Sequence, residues 1–195
     1  MCKTIVFILL TLMLFGCTSQ NNKPSLEKTS QSNKIILQDK YEFKALNSSF
    51  AFLLPKDWLV AQDVTPSIET NPLIQQIGYM NKQEDVTTAF VVVSKTNPKT
   101  KSADYFFNDY IQKLKSDGED FKELEPPVDY EDKNKTVKRF ICDATLSDIK
   151  FRHIVYLIEF KNSDKFMIGY QACLQKDWDK HKEYLFEIID SVNIK

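Results

Sequence analysis

The chain has 195 residues and almost balanced charge, 26 basic against 27 acidic side chains, which argues against a nucleic-acid partner because that requires a basic face. Its length suits a single domain. Four glycines are too few for a phosphate-cradling loop, and neither G-x-G-x-x-G nor G-x-x-x-x-G-K occurs.

The chain opens with a short basic start, Met1-Cys-Lys-Thr4, then the apolar run Ile5–Phe15, then Gly16-Cys17. That layout is a secretory signal. The apolar run is shorter than the about 20 residues needed to span a bilayer. Leu14-Phe15-Gly16-Cys17 resembles the bacterial lipobox, with a leucine three before the cysteine and a small residue just before it. The resemblance implies cleavage before Cys17, acylation of its thiol and anchoring in a lipid bilayer. Phe15 stands where a small or β-branched residue is more usual. An ordinary secretory signal cleaved elsewhere, or an uncleaved anchor, is the competing reading. Loss of residues 1–16 removes one charged residue, Lys3, and leaves a net charge of −2. Thr18 is not an aspartate, so by resemblance to sorting rules in two-membrane bacteria the expected address is the outer membrane, facing the periplasm.

Residues 18–34 contain one strong hydrophobe, Leu26, and cannot bury enough apolar area to offset the entropy of ordering. The expected layout is a signal peptide at 1–16, lipidated Cys17 and a flexible tether at 17–35, and one α+β domain at 36–195. The tether would reach roughly 20–25 Å.

Tyr41 and Phe43, then Phe50, Phe52 and Leu54, alternate with other residues ahead of Pro55-Lys56-Asp57-Trp58 and predict strands closed by a turn. Gln76–Asn81 and Val86–Lys95 predict two more, with Val64–Leu73 between Trp58 and them as loop. Ser102–Asp117 predicts a helix: Ser102 caps it, Ala103, Phe106, Phe107, Tyr110, Ile111 and Leu114 form one stripe, and Gly118 supplies a left-handed stop. Glu123–Lys135 reads as a long loop. Thr136–Leu146, Phe151–Phe160 and Lys165–Leu174 are close enough in sequence to form an antiparallel meander. Asp177 then caps a last helix with its own apolar stripe from Trp178 to Val192.

Phe50-Ala-Phe-Leu-Leu-Pro-Lys-Asp-Trp58, the helix after the Val-rich strand and the closing Ile188–Ile194 resemble PsbP-like and DcrB-like domains. The resemblance covers roughly residues 36–195. It implies a central antiparallel sheet flanked by helices, an α/β/α sandwich. Such domains are mostly non-enzymatic: photosynthetic extrinsic subunits, a small-GTPase binding factor, effector chaperones and exported lipoproteins. It carries no active-site residues over to this chain, and no cofactor is expected.

No residue constellation identifies a reaction. His153 and His181 are the only histidines, and both fall on apolar faces. Cys173 with His153 is the one conceivable nucleophile–base pair, across adjacent strands. Cys142 and Cys173 are the candidate disulfide once Cys2 leaves and Cys17 is acylated. In a meander folded at 147–150 they lie two strands and about three residues apart, beyond the about 7 Å Cα limit. Two buried thiols are the alternative. The five carboxylates of Glu123–Asp132 lack EF-hand spacing, so a solvated loop is preferred to a metal site. Tyr105, off the helix stripe, is a candidate contact residue.

The expected function is a non-catalytic protein-binding or assembly module, held on the bilayer through Cys17 and docking another envelope protein. An immunity lipoprotein neutralising a periplasmic toxin is one alternative. A small-ligand-binding or enzymatic domain with a cleft near His153 or the acidic loop is the other.

Overall fold

The computed structural model describes residues 41–46, 50–64, 73–132 and 134–194. The signal peptide, Cys17, the tether and most of the 64–73 segment lie outside the described residues. Among the described residues ten strands and two α-helices follow in order: β1 (Tyr41–Leu46), β2 (Phe50–Pro55), β3 (Leu59–Val64), β4 (Leu73–Asn81), β5 (Val86–Ser94), α1 (Ala103–Asp117), β6 (Glu119–Asp132), β7 (Lys135–Leu146), β8 (Ile149–Phe160), β9 (Lys165–Leu174), α2 (Trp178–Ser191) and β10 (Asn193–Ile194). Seven strands make an antiparallel sheet ordered β3-β4-β5-β9-β8-β7-β6, and β1-β2-β10 make a smaller one.

Helix α1 covers one face of the large sheet with Phe107, Tyr110, Ile111 and Leu114, packed on Phe140, Val155, Leu157 and Tyr170. The small sheet and α2 cover the other. There Phe50, Phe52 and Leu54 of β2 and Leu185, Ile188 and Ile189 of α2 meet Phe90, Ile154 and Tyr156. Burial on both faces explains why β8 and β9 read as nearly continuous apolar runs. The α+β class and the central antiparallel sheet are as the sequence predicts.

Four local expectations are corrected. Gly118 is extended, with φ −94° and ψ 131°, and is not a left-handed stop. Its lack of a side chain matters through space, since a Cβ would stand 2.8 Å from Ala144 Cβ. Ser102 does cap α1, accepting the Tyr105 N–H at 3.1 Å, but Asp177 at the start of α2 makes no side-chain capping bond because a tight 3-10 turn precedes it.

The supposed 123–135 loop is most of β6, a 14-residue edge strand paired to β7 with three register shifts. An edge strand needs hydrogen bonds on one side only, so Pro126 and Pro127 are tolerated there. Its charges, prolines and bulges hinder edge-to-edge pairing with other chains.

The β7–β8 register differs from that of a fold at 147–150. Ser147 and Asp148, both at positive φ (51° and 64°), form a two-residue hairpin turn, so Leu146 pairs directly with Ile149. Cys142 therefore lies opposite His153, which lies opposite Ala172, one residue from Cys173. One residue reverses the side-chain direction. Cys142 packs under α1 while Cys173 packs under α2, and both are free thiols. The candidate disulfide is thus excluded by the sheet itself.

Candidate recognition cleft

An open cleft of about 490 Å³ lies where two turns, the start of β1 and the first turns of α2 converge. Its size falls within the about 300–1,000 Å³ typical of ligand sites. Pro55, Lys56, Asp57 and Trp58 supply one wall, Asn81 and Glu84 a second, and Tyr41 and Tyr184 the rest.

Local chemistry fixes these groups. The Trp58 N–H donates to Pro55 O at 3.1 Å and closes the β2–β3 turn, which drives the indole inward until it is 4% exposed. Asn81 ties the two turns together. Its Oδ1 accepts the Gln83 N–H at 3.0 Å, while its Nδ2 donates to Asp57 Oδ2 at 2.9 Å. Asp85 at φ 50° completes the β4–β5 turn and leaves Glu84 at the rim.

Helix α2 lines the cleft with Tyr184. Tyr184 packs edge-on against Trp58, with ring centroids 6.2 Å apart. Its hydroxyl lies 2.6 Å from His181 Nδ1. Burial holds His181 below its ordinary pKa, so the imidazole is neutral. Burial, then Glu84, pushes Tyr184 far above its usual range, so the phenol keeps its proton. Glu84 Oε2 stands 3.7 Å from the same Nδ1, and Glu84 Oε1 binds the Lys180 ammonium at 2.6 Å. Across the cleft, burial followed by the charge and hydrogen bond of Glu187 pushes Tyr41 up to about 12. The result is an aromatic hollow with a carboxylate rim. No serine or cysteine lines it among the described residues.

A second hollow of about 90 Å³ lies at the opposite edge of the sheet, between β6 and β8. Arg152 holds Asp143 through two bonds of 2.7 and 2.9 Å, and Gln175 Nε2 donates to the same carboxylate. That arrangement is a satisfied ion pair, with Arg152 also stacked near Trp178.

No family model matches the sequence, and no curated protein matches it. Solved structures do match the fold. The solution structure of cyanobacterial PsbP (CyanoP) from Synechocystis aligns with TM-score 0.54 and 11% identity over 86% of this chain and 98% of the other. The fold is PsbP-like. LpqN of Mycobacterium tuberculosis, described as involved in cell envelope biogenesis, aligns with TM-score 0.50 and 9% identity over 82% and 95% of the two chains.

Within this PsbP-like domain the sequence candidates are dispersed. His153 is fully buried beneath α1, its Nδ1 2.8 Å from the Tyr170 hydroxyl, and it faces away from Cys173. The Cys173–His153 pair is therefore excluded. Burial also pushes both thiols up to about 12, which removes their nucleophilicity. The acidic stretch lies along β6, and among the described residues no three His, Cys, Asp or Glu side chains are placed to hold a metal. Tyr105 is 40% exposed but its ring carries the Lys101 ammonium 3.7 Å from the centroid. The expected cleft near His153 or the acidic segment is replaced by one beside His181. The Pro-x-x-Trp turn signalled a strand end. Nothing in the sequence spacing showed that Asn81, Glu84 and Tyr184 gather around it.

Proposed function

We propose that this protein is a membrane-anchored envelope lipoprotein whose PsbP-like domain is a non-catalytic binding module, docking a partner protein at the Pro55–Trp58 cleft. The open aromatic hollow with its carboxylate rim carries the reading. It offers hydrogen-bonding and packing groups, yet its histidine is neutral, buried and occupied by a tyrosine. The lipobox at Cys17 and the polar tether supply the anchor, and LpqN offers a fold neighbour assigned to envelope biogenesis. The proposed attachment is the acyl chains on Cys17; no described helix is long and apolar enough to cross a membrane.

The test has two parts. The membrane-extracted protein should have the mass of a chain starting at Cys17 plus acyl groups, and Cys17→Ser should leave the membrane fraction. Crosslinked envelopes should then yield a partner protein with the wild type. An unacylated mass, an unchanged membrane fraction for Cys17→Ser, or no crosslinked partner would each contradict the proposal.

A further inference from the structure

The charges around the cleft narrow the kind of group it receives. Asp57 and Glu84 stand on its rim, and Glu187 accepts a hydrogen bond from Tyr41 beside them. Lys56 is the one basic residue on the described lining. The rings of Tyr41 and Tyr184 add π-faces that favour a cation over an anion. Most informative is Lys180. Its side chain, 60% exposed, reaches over the surface to seat its ammonium on Glu84 at 2.6 Å. The chain thus places a cation of its own on the rim carboxylate, by an arm that costs little to displace.

Beside the cleft, Val60 pairs with Tyr79 on the face that Trp58 shares and is 58% exposed. An exposed apolar side chain next to a charged hollow matches an interface in which apolar contact surrounds an anchoring side chain.

We propose that the cleft receives a lysine or arginine side chain of a partner protein, which displaces the Lys180 ammonium from Glu84 while the partner covers Val60. This rests on the cleft being the recognition site.

The test uses the full-length protein carrying Trp178→Phe, so that Trp58 is the only indole. Its signal is followed during titration with four probes: the acetylated, amidated tripeptides Gly-Lys-Gly and Gly-Arg-Gly, the same tripeptide with acetyl-lysine, and cadaverine. The two basic peptides should move the Trp58 signal saturably, and the acetyl-lysine peptide should not. Glu84→Gln should weaken the basic peptides about threefold to fivefold, and Lys180→Gln should tighten them about twofold by removing the competing cation. An equal response to acetyl-lysine, or no change in Lys180→Gln, overturns the cationic anchor and leaves the cleft as a recognition site. Saturation by cadaverine alone assigns the cleft to free amines and overturns the protein source. Silence from every probe overturns the inference, and if a crosslinker at residue 60 also captures no partner, the docking reading falls with it.

Discussion

His153 shows how one side chain ties burial to acid sensitivity. Burial, only partly offset by Asp143, lowers its pKa to about 4, against 6.5 when exposed. Between those values the unfolded chain binds more protons than the folded one. Stability is therefore full above pH 6.5 and is lost as pH falls towards about 4, by about 3 kcal/mol at the lower end. His181, also lowered by burial, acts in the same direction. Urea unfolding across this window should show a pH slope reduced by up to one proton in His153→Leu. An unchanged slope would mean the imidazole is not held neutral. Gly169 makes a second prediction at this scale. A Cβ there would stand 1.7 Å from the Tyr156 ring, which is fully buried against it. Gly169→Ala should cost about 1–3 kcal/mol through overpacking, read as a lower urea midpoint with an unchanged slope.

At the scale of elements, α2 is held by strands remote in sequence. Lys135, 1% exposed at the start of β7, donates to the carbonyls of Asp190 and Val192 at 2.5 and 2.9 Å. An ammonium among the last carbonyls satisfies groups the helix cannot bond itself and complements its negative end. Tyr130 of β6 adds a bond to the Asp190 carboxylate. Lys135→Met should destabilise the fold by about 2 kcal/mol, while Tyr130→Phe, losing one half-exposed bond, should cost less. Equal costs would show that the carbonyls do not depend on the ammonium.

Elements defined by their own periodicity were legible in sequence. Helix α1 has its Ser102 cap and its Phe107–Leu114 stripe, and β7, β8 and β9 have apolar runs ended by turn residues. Strand β6 was not legible, because its exposed residues, prolines and bulges erase the period-two pattern and only β7 supplies its hydrogen bonds. The sheet register also depended on something local: two residues at positive φ moved Cys142 opposite His153 and turned it away from Cys173. The cleft was least legible. Trp58, Glu84 and Tyr184 come from three separate segments, and only the packing of β2, the β4–β5 turn and α2 brings them together.

For the whole molecule, the fold puts its two ends of interest to different uses. Edge strand β6 is guarded by charge, proline and bulges. The other edge of the large sheet, β3, presents exposed Val60 on the face of the cleft. A docking partner is therefore expected at the β3 side and not along β6 or at Tyr105 on α1. The proposed tether, roughly 20–25 Å between bilayer and domain, would let that face meet a partner in the membrane or just above it. The most direct measurement is photocrosslinking in intact cells, with a photoreactive residue placed at 60 in one strain and at 105 in another. The account predicts a protein adduct from position 60 that weakens with Glu84→Gln, and none from position 105. Adducts from 105 alone, or from 60 with no dependence on Glu84, would contradict it.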